Sequence, residues 1–388
     1  MPPMTLSPRE ILDRLIGFQS VSSASNLDLI DWVESYLASH GVVSHRVYDD
    51  AGTKASLFAN VGPEVPGGVV LSGHSDVVPV EGQDWVTDPF TVVEKDGRLY
   101  GRGTCDMKGF IALALAAVPL ALQARVKRPL QIAISYDEEV GCVGAPPMIA
   151  QMVKTLPRAA AVVVGEPSMM RLVNGHKGGH GFSVHVQGFE VHSSLMHTGV
   201  NAIMTAARLI DWANQINAEN AAKPPSTLAA GFVPHWTTAH VGKISGGTAE
   251  NITAKDCHFG FGFRVVPGES EADWADRFKA EAARLDAEIK AVRPEAAITL
   301  TQTFFVPALV PEDNGAADRL VRRLTGDNGA QVVSYGTEAG QFQAEGYSCV
   351  VCGPGDIAQA HQPNEYLEVA QFNEGWAFMQ RLVQDLTE

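Results

Sequence analysis

The stretch Val69-Val70-Leu71-Ser72-Gly73-His74-Ser75-Asp76 begins with an apolar run that predicts a buried strand, and it ends with a histidine and an aspartate. Two later runs have the same form: Ile132-Ala133-Ile134 precedes Glu138, and Ala161-Val162-Val163-Val164 precedes Glu166. In an open α/β sheet, strand ends of one polarity gather at the edge where ligands bind. The three runs therefore predict a sheet whose edge collects imidazole and carboxylate groups.

The chain around these runs alternates between helical and strand-like patterns. Almost continuous small apolar residues from Gly109 to Gln123 predict a helix buried between layers. Between Val80 and Lys108 the pattern is irregular, with a turn signal at Asp96-Gly97. Further helical patterns cover 8–19, 27–39 and 314–325, and strand patterns cover 42–48, 55–61, 130–135, 159–164 and 349–352. Together they predict an α/β domain with a largely parallel sheet covered by helices.

The pattern changes near residue 179 to the order β-α-β-β-α-β, which is the ferredoxin-like plan. Its elements are a strand at 180–187, a helix at 201–217, strands at 237–245 and 256–266, a helix at 270–291 and a strand at 298–304. Candidate site residues lie on both sides of this region, so its flanks must form one body. We expect an α/β domain in two segments, 1–178 and 305–388, with an inserted α+β domain at 179–304.

The composition of the chain indicates which classes of binding partner are disfavoured. The formal net charge is −15, which argues against nucleic acid or an anionic membrane, because both require a basic face. No uninterrupted apolar run approaches the roughly 18 residues needed to span a bilayer. The residues are 45% hydrophobic and 19% charged, which is typical of a globular protein that can bury a core.

The N-terminal residues and the cysteines indicate the compartment. Ser7-Pro8 followed by Glu10 predicts a capped helix and not an export signal. Five cysteines are too few for a disulfide framework in a chain of 388 residues, so we expect a cytoplasmic protein. Cys349 and Cys352 form a Cys-x-x-Cys that would suit a redox or zinc motif. Buried small hydrophobes are favoured, because a strand would direct the two thiols to opposite faces.

Six residues form the candidate site, and most have an ordinary alternative when taken singly. His74 could be a satisfied structural histidine, Asp106 a helix cap, and the Glu138-Glu139 pair solvated charges on a loop. Two adjacent carboxylates after a buried strand nevertheless repel each other unless a positive charge lies between them. Mixed nitrogen and oxygen donors suit Zn²⁺, with Co²⁺ and Mn²⁺ as alternatives. The full set is His74, Asp106, Glu138, Glu139, Glu166 and His361.

With these residues assembled, the chain resembles the acetylornithine deacetylase group of the dinuclear-zinc aminoacylase and peptidase family. That family also contains succinyl-diaminopimelate desuccinylase, carboxypeptidase G and tripeptidase. The matching stretches cover nearly the whole chain in order. They are Leu71 to Pro79, Leu99 to Gly109, Tyr136-Asp137-Glu138-Glu139-Val140-Gly141, Gly165-Glu166-Pro167, Gly175-His176-Lys177-Gly178, His192-Ser193-Ser194, Gly336-Thr337-Glu338-Ala339, and Cys352-Gly353-Pro354-Gly355 with His361.

The resemblance implies a zinc-exopeptidase-like catalytic domain that holds two divalent ions. It assigns His74, Asp106 and Glu166 to one ion, and Asp106, Glu139 and His361 to the other. It makes Glu138 the general base for a water bridging the two ions, and Asp76 the partner of His74. It also implies that the inserted domain closes over the site and pairs two subunits into a homodimer, and that the peptide bond after Asp106 is cis.

Substrate contacts follow from the resemblance less directly. It makes His192 a group that reaches the oxyanion across a dimer, although a surface histidine in a polar turn is the ordinary alternative. Arg264 would bind the substrate carboxylate with a bidentate fork. Asn251, Gly336 and Thr337 would also contact the substrate, while a turn asparagine and a tight loop explain them nearly as well.

The function implied is removal of the acetyl group from an N-acetylated amino acid, with N2-acetyl-L-ornithine as the first substrate and arginine biosynthesis as the setting. One alternative is a hydrolase of the same family that acts on N-acetylcitrulline or a small peptide. An alternative from another class is a non-catalytic dimeric binding protein. Retention of all the ligands and of Glu138 favours the enzyme.

Overall fold

The computed structural model describes residues 5–388, which form two compact units. The first unit contains the residues up to Gly175, together with Pro311–Val332 and Thr337–Glu388. The second contains His176–Val310 and the short segment Val333–Gly336. The insertion predicted at 179–304 lies within the second unit, and no pattern in the sequence indicates that the short segment Val333–Gly336 groups with it.

The helices and strands are numbered in chain order. The helices are α1 (Pro8–Gly17), α2 (Leu27–Ser39), α3 (Lys108–Ala124), α4 (Ala145–Thr155), α5 (Ala202–Ala221), α6 (Glu271–Val292), α7 (Ala316–Thr325), α8 (Ala339–Ala344) and α9 (Val369–Leu386). The strands are β1 (Ser44–Tyr48), β2 (Ala55–Val61), β3 (Val69–His74), β4 (Val93–Lys95), β5 (Arg98–Tyr100), β6 (Leu130–Ser135), β7 (Ala161–Pro167), β8 (Val173–His176), β9 (Gly178–Gln187), β10 (Thr238–Gly246), β11 (Asp256–Val265), β12 (Ala297–Val306), β13 (Gln331–Val333), β14 (Cys349–Gly353) and β15 (Tyr366–Glu368).

The first unit is built on an eight-stranded sheet in the order β1-β2-β6-β3-β7-β14-β8-β13. Its four central strands, β6, β3, β7 and β14, run parallel to one another. Every residue of these four strands is buried, which explains their unbroken apolar runs in the sequence. Helix α3 is also almost entirely buried and packs against α1, α9 and β3. This confirms the predicted α/β fold with a largely parallel sheet.

The second unit has a four-stranded antiparallel sheet in the order β10-β11-β9-β12. With its two helices it follows the predicted β-α-β-β-α-β plan, and the strand order is that of a ferredoxin-like domain. The inward residues of β9 and β11 pack against α5 and α6 in one apolar core. The outward residues of the same strands alternate with them.

Several elements differ from the sequence-based prediction. The stretch between Val80 and Lys108, predicted to be irregular, contains the β4–β5 hairpin, whose turn residues Asp96 and Gly97 both have positive φ. Strand β15 pairs with β5 to complete a small third sheet. Helices α4, α8 and α9 were not assigned from the sequence.

Other local predictions are confirmed. Helix α1 begins at Pro8 with Ser7 as its N-cap, and Ser7 and Glu10 form a reciprocal capping box. Cys349 and Cys352 are buried free thiols in β14. Within residues 5–388, no helix has the length and apolar character required to cross a membrane.

Candidate metal centre

The candidate ligands lie at one edge of the parallel sheet. Each central strand contributes at or just beyond its carboxyl end, as expected for an open α/β sheet. Asp106 comes from another place, the loop that enters α3. The strand contributions are His74 at the end of β3, Glu138 and Glu139 after β6, Glu166 near the end of β7, and His361 after β14.

Asp106 lies between the two histidines and directs one carboxylate oxygen toward each. His74 Nε2 is 3.0 Å from Asp106 Oδ1, and His361 Nε2 is 3.4 Å from Asp106 Oδ2. Glu166 is on the His74 side, with Oε1 3.7 Å from Nε2 of that ring. Glu139 is on the His361 side, with Oε2 2.9 Å from its Nε2. The geometry thus divides the residues into two groups that share the aspartate.

The donor atoms fit two divalent cations. Oε1 of Glu139 and Oε1 of Glu166 are buried and make no hydrogen bond with any described residue, although unpaired buried carboxylate oxygens are costly. Ligand atoms of His74, Glu138 and Glu166 lie within 4.8 Å of one another, as do those of His74, Asp106 and Glu139. A cation in each group would satisfy these oxygens, so the site matches a dinuclear centre.

The electrostatics of the cluster point the same way. Burial raises the pKa of Glu166, and the nearby carboxylate of Asp106 raises it further. The contacts of His361 with Asp106 and Glu139 raise the pKa of that imidazole to about 10. Burial alone would lower the pKa of His74, but Asp106 and Asp76 raise it well above its ordinary value. A site that stabilises positive charge on its own imidazoles would also stabilise a divalent cation.

Glu138 is directed differently from its neighbour. Its Oε1 accepts a hydrogen bond from the Cys142 thiol at 3.2 Å, and no ion pair joins it to either histidine. Burial raises the pKa of Glu138 to about 8, and the carboxylates of Glu139 and Asp106 add to the rise. A carboxylate held near neutral pKa beside a cluster of cation ligands has the properties of a general base.

Asp76 contacts both His74 and the loop that carries Glu138 and Glu139. His74 Nδ1 lies 2.9 Å from the backbone oxygen of Asp76 and 3.6 Å from its carboxylate Oδ1. The carboxylate accepts a hydrogen bond from the Ser22 hydroxyl at 2.7 Å. It also accepts the backbone N–H groups of Glu138 and Glu139, at 3.2 and 3.4 Å. Asp76 therefore orients the ring of His74 and the backbone of Glu138 and Glu139.

Glu365 is a buried residue of the site that the sequence analysis missed. Its Oε1 accepts the backbone N–H groups of Gly103, Cys105 and Asp106, at 3.0, 2.9 and 3.1 Å. Its Oε2 pairs with the buried guanidinium of Arg102 at 2.7 Å. The loop that carries Asp106 is therefore wrapped around this carboxylate. The signal in the sequence was an acidic residue only four positions after His361.

Two glycines let α3 approach the sheet beside the ligands. A Cβ on Gly73, which precedes His74, would lie 2.8 Å from the terminal methyl of Met107. A Cβ on Gly165, which precedes Glu166, would overlap the ring of Phe110, at 2.0 Å. The peptide bond between Asp106 and Met107 is cis, as the resemblance implied. Close approach of the helix brings Asp106 to the strand ends.

The predicted oxyanion residue and one predicted substrate residue lie together in the second unit. His192 is exposed and caps a short 3₁₀ helix, Ser193–Thr198, with its Nδ1 2.8 Å from the Ser194 hydroxyl. The backbone N–H of Ser193 donates to the backbone carbonyl oxygen of Asn251 at 2.9 Å. His192 and Asn251 thus belong to one surface region of that unit.

Arg264 and Gly336 are also neighbours in the second unit. The Arg264 Nη1 lies 3.8 Å from the position that a Cβ on Gly336 would take. Burial lowers the pKa of Lys177 to about 8, and the charge of Arg264 lowers it further. Thr337 belongs to the first unit, where its hydroxyl accepts a hydrogen bond from the backbone N–H of Ala339, the first residue of α8, at 3.1 Å.

Comparisons with known proteins agree with this fold and identify the family. The model of the family described as Peptidase family M20/M25/M40 matches residues 70–385. The acetylornithine deacetylase of Myxococcus xanthus is 35% identical over 373 residues, which cover 93% of this chain and 92% of the relative. The acetylornithine deacetylase of Pasteurella multocida (strain Pm70) is 31% identical, covering 88% and 87%. An M20 family metallo-carboxypeptidase, Sso-CP2 from Sulfolobus solfataricus, has the same fold, with a TM-score of 0.80, 16% identity and coverage of 99% and 100%.

Proposed function

The chain belongs to peptidase family M20/M25/M40, a family of metal-dependent hydrolases, and we propose that it removes the acetyl group from N2-acetyl-L-ornithine to give L-ornithine and acetate. The observation that carries the reaction class is the buried cluster around Asp106, with its two unpaired carboxylate oxygens. The relatives named acetylornithine deacetylase, at 30–35% identity, support the choice of substrate.

The proposed ligand assignment follows the two groups around Asp106. His74, Asp106 and Glu166 would hold one cation, and Asp106, Glu139 and His361 the other, in agreement with the dinuclear centres of the family. Cations bound there would polarise the acyl carbonyl and lower the pKa of the attacking water. We propose Zn²⁺, with Co²⁺ and Mn²⁺ as alternatives, because imidazole and carboxylate donors are mixed.

The proton transfers are proposed for Glu138. Its carboxylate accepts a proton from water as the oxygen attacks the acyl carbon. When the C–N bond breaks, the same proton passes to the departing nitrogen, so that the products are acetate and a free amine. The Cys142 thiol occupies Oε1 of Glu138, which leaves Oε2 for the transfer. The hydrogen bonds from Glu138 and Glu139 N–H to Asp76 keep the base in place through both steps.

We propose that Arg264 binds the α-carboxylate of the substrate. Burial is the main reason that the pKa of Lys177 is lowered to about 8, and repulsion by the charge of Arg264 lowers it further. A carboxylate between them would relieve that repulsion, and a guanidinium offers it two parallel hydrogen bonds. Asn251, Gly336 and Thr337 are kept as proposed substrate contacts, and His192 as the proposed oxyanion contact supplied by a partner subunit.

We also propose a homodimer formed through the second unit and a cytoplasmic location. The dimer is what gives the exposed His192 a role in the reaction. The location is supported by the five cysteines, all of which are buried free thiols.

A hydrolysis screen tests the proposed function. The purified chain, loaded with Zn²⁺ or Co²⁺, is given the N-acetyl forms of ornithine, citrulline, methionine and glutamate, and a dipeptide. We expect the highest kcat/KM for acetylornithine, measured from release of the free amine. A preference for another member of the set would overturn the substrate while leaving the reaction class. Failure to cleave any of them with two cations bound would favour the non-catalytic alternative.

A further inference from the structure

The sheet of the second unit has one face covered by helices and one without them. Val184 and Val186 of β9, and Cys257 and Phe259 of β11, are buried in the core shared with α5 and α6. Side chains alternate along a strand, so the residues between them point to the other face. On that face the two central strands carry His185, Asp256 and His258, which are exposed or partly exposed.

These three side chains converge. His185 and His258 are direct cross-strand partners, and their rings stack with centroids 4.1 Å apart and an angle of 10°. Asp256 lies two residues before His258 on the same face, and its Oδ1 is 2.8 Å from His185 Nε2. One ligand atom from each of the three lies within 4.8 Å of the other two. The imidazole of His258 makes no hydrogen bond with any residue in the described range 5–388.

Residues with hydroxyl groups flank the two histidines on the neighbouring strands β10 and β12. Ser245 of β10 is the cross-strand partner of His258, and Thr299 of β12 is the partner of His185. Both are exposed. The side chains of His185 and Asp256 are 33% and 47% exposed, so water reaches the cluster. Hydroxyls at either end could hydrogen-bond water molecules that complete a coordination shell.

We propose that His185, Asp256 and His258 bind one late first-row divalent cation, with Zn²⁺ as the ion to test. Two imidazoles and one carboxylate are the donor set of open three-ligand zinc sites, in which water takes the remaining position. The site shares no residue with the dinuclear centre. It would hold the two central strands of the second sheet together, and so stabilise that unit by an amount that grows with the logarithm of the free ion concentration above the dissociation constant.

Zinc stoichiometry of the full chain tests the site. The protein is stripped with a chelator and dialysed against a series of buffered Zn²⁺ concentrations, and the bound metal is measured by elemental analysis. We expect wild type to hold one more zinc per chain than His258→Ala or Asp256→Asn at the same free Zn²⁺. In the variants the dissociation constant of that site should rise at least about tenfold, because one of three protein ligands is lost.

His240→Ala is the matched control, since His240 is an exposed histidine of β10 in the same sheet. It should keep the additional zinc, and hydrolysis rates with saturating Zn²⁺ should be equal in all four proteins. Superimposable isotherms for wild type and both site variants would overturn the proposal, as would equal loss in His240→Ala, which indicates unspecific binding. If His258→Ala does not fold, the nearly isosteric Asp256→Asn decides alone.

Discussion

Glu138 and Glu139 are adjacent in the chain and have different surroundings. Glu139 contacts His361 and lies beside Asp106, whereas Glu138 accepts a thiol hydrogen bond and has its pKa raised to about 8. A pair of carboxylates at a strand end can therefore be divided between binding a cation and moving a proton. The backbone N–H groups of both residues donate to Asp76, which fixes the backbone from which the two side chains project.

Glu138→Gln tests this division. The amide keeps the size of the side chain but cannot accept the proton, so kcat should fall by about 10²–10⁴. The bound metal should stay the same, whereas the matched change Glu139→Gln should lower metal content. Elemental analysis and steady-state kinetics measure the two effects. Unchanged turnover in Glu138→Gln would show that another group is the base.

Glu365→Gln tests the residue that holds the Asp106 loop. The amide nitrogen would face Arg102, and three backbone N–H groups would lose a charged acceptor. Metal affinity should fall by about 10- to 100-fold, as for other groups that orient metal ligands. Competition with a chromophoric chelator measures the affinity, and kcat of the fully loaded variant should change less. Glu374→Gln, an exposed residue of α9, is the control. Equal affinities for the two variants would remove Glu365 from this role.

The candidate ligands were predictable from the sequence because each follows a recognisable strand or precedes a recognisable helix. Glu365 was not, because its partners at 102–106 are about 260 positions away and no local pattern shows that contact. The carboxylate of Asp76 was expected to serve His74. Its hydrogen bonds to the loop at 138–139 depend on a turn that only the folded chain displays.

At the scale of elements, the approach of α3 to β7 depends on one missing side chain. Gly165→Ala would place a methyl group in the ring of Phe110, which is only 1% exposed and cannot move away freely. We expect a loss of about 1–3 kcal/mol in the free energy of unfolding, as for other overpacked cores. Metal binding should weaken too, since Glu166 is the next residue. Chemical denaturation and metal titration measure both effects.

Gly17→Ala is the control for that substitution. Gly17 ends α1, and a Cβ there would meet nothing within 4 Å. Stability should change little. A similar loss in both variants would mean that close packing at Gly165 is not the cause.

Most long elements were predicted because their periodicity is strong. The parallel strands are buried throughout and rich in apolar residues, and β11 of the second unit alternates between buried and more exposed residues. The β4–β5 hairpin was not predicted, because three-residue strands carry almost no periodicity, although its Asp-Gly turn is a typical hairpin signal. Helix α9 does carry an apolar stripe, with Phe372, Phe378, Met379 and Leu382 buried, and it was left unassigned.

At the scale of the whole molecule, the cations should contribute to stability. Four carboxylates, those of Asp106, Glu138, Glu139 and Glu166, meet at one sheet edge, where like charges repel. Dialysis against a chelator should abolish hydrolysis and lower the unfolding temperature, and Zn²⁺ should restore both. A free Zn²⁺ concentration of about 100 times the dissociation constant would add about 2.7 kcal/mol to the free energy of unfolding.

Hydrogen exchange locates that contribution. Without cations, the backbone N–H groups of Cys105, Asp106, Glu138 and Glu139 should exchange faster, because their loops lose the charge that holds them. Calorimetry and exchange measured on the same sample check the two effects together. An unfolding temperature that chelation leaves unchanged would argue against cation binding at this edge.

The division of the chain into a discontinuous and an inserted unit has a consequence for biosynthesis. Strand β14 lies inside the first sheet, between β7 and β8, yet it begins only at Cys349. A ribosome must therefore synthesise the chain beyond Gly353 before that sheet can close. Until then one edge of β7 has no partner strand, and Asp106 and Glu139 lack their contacts with the imidazole of His361. Chaperones that mask strand edges would meet this protein at that stage, and loading with metal would be among the last events of its maturation.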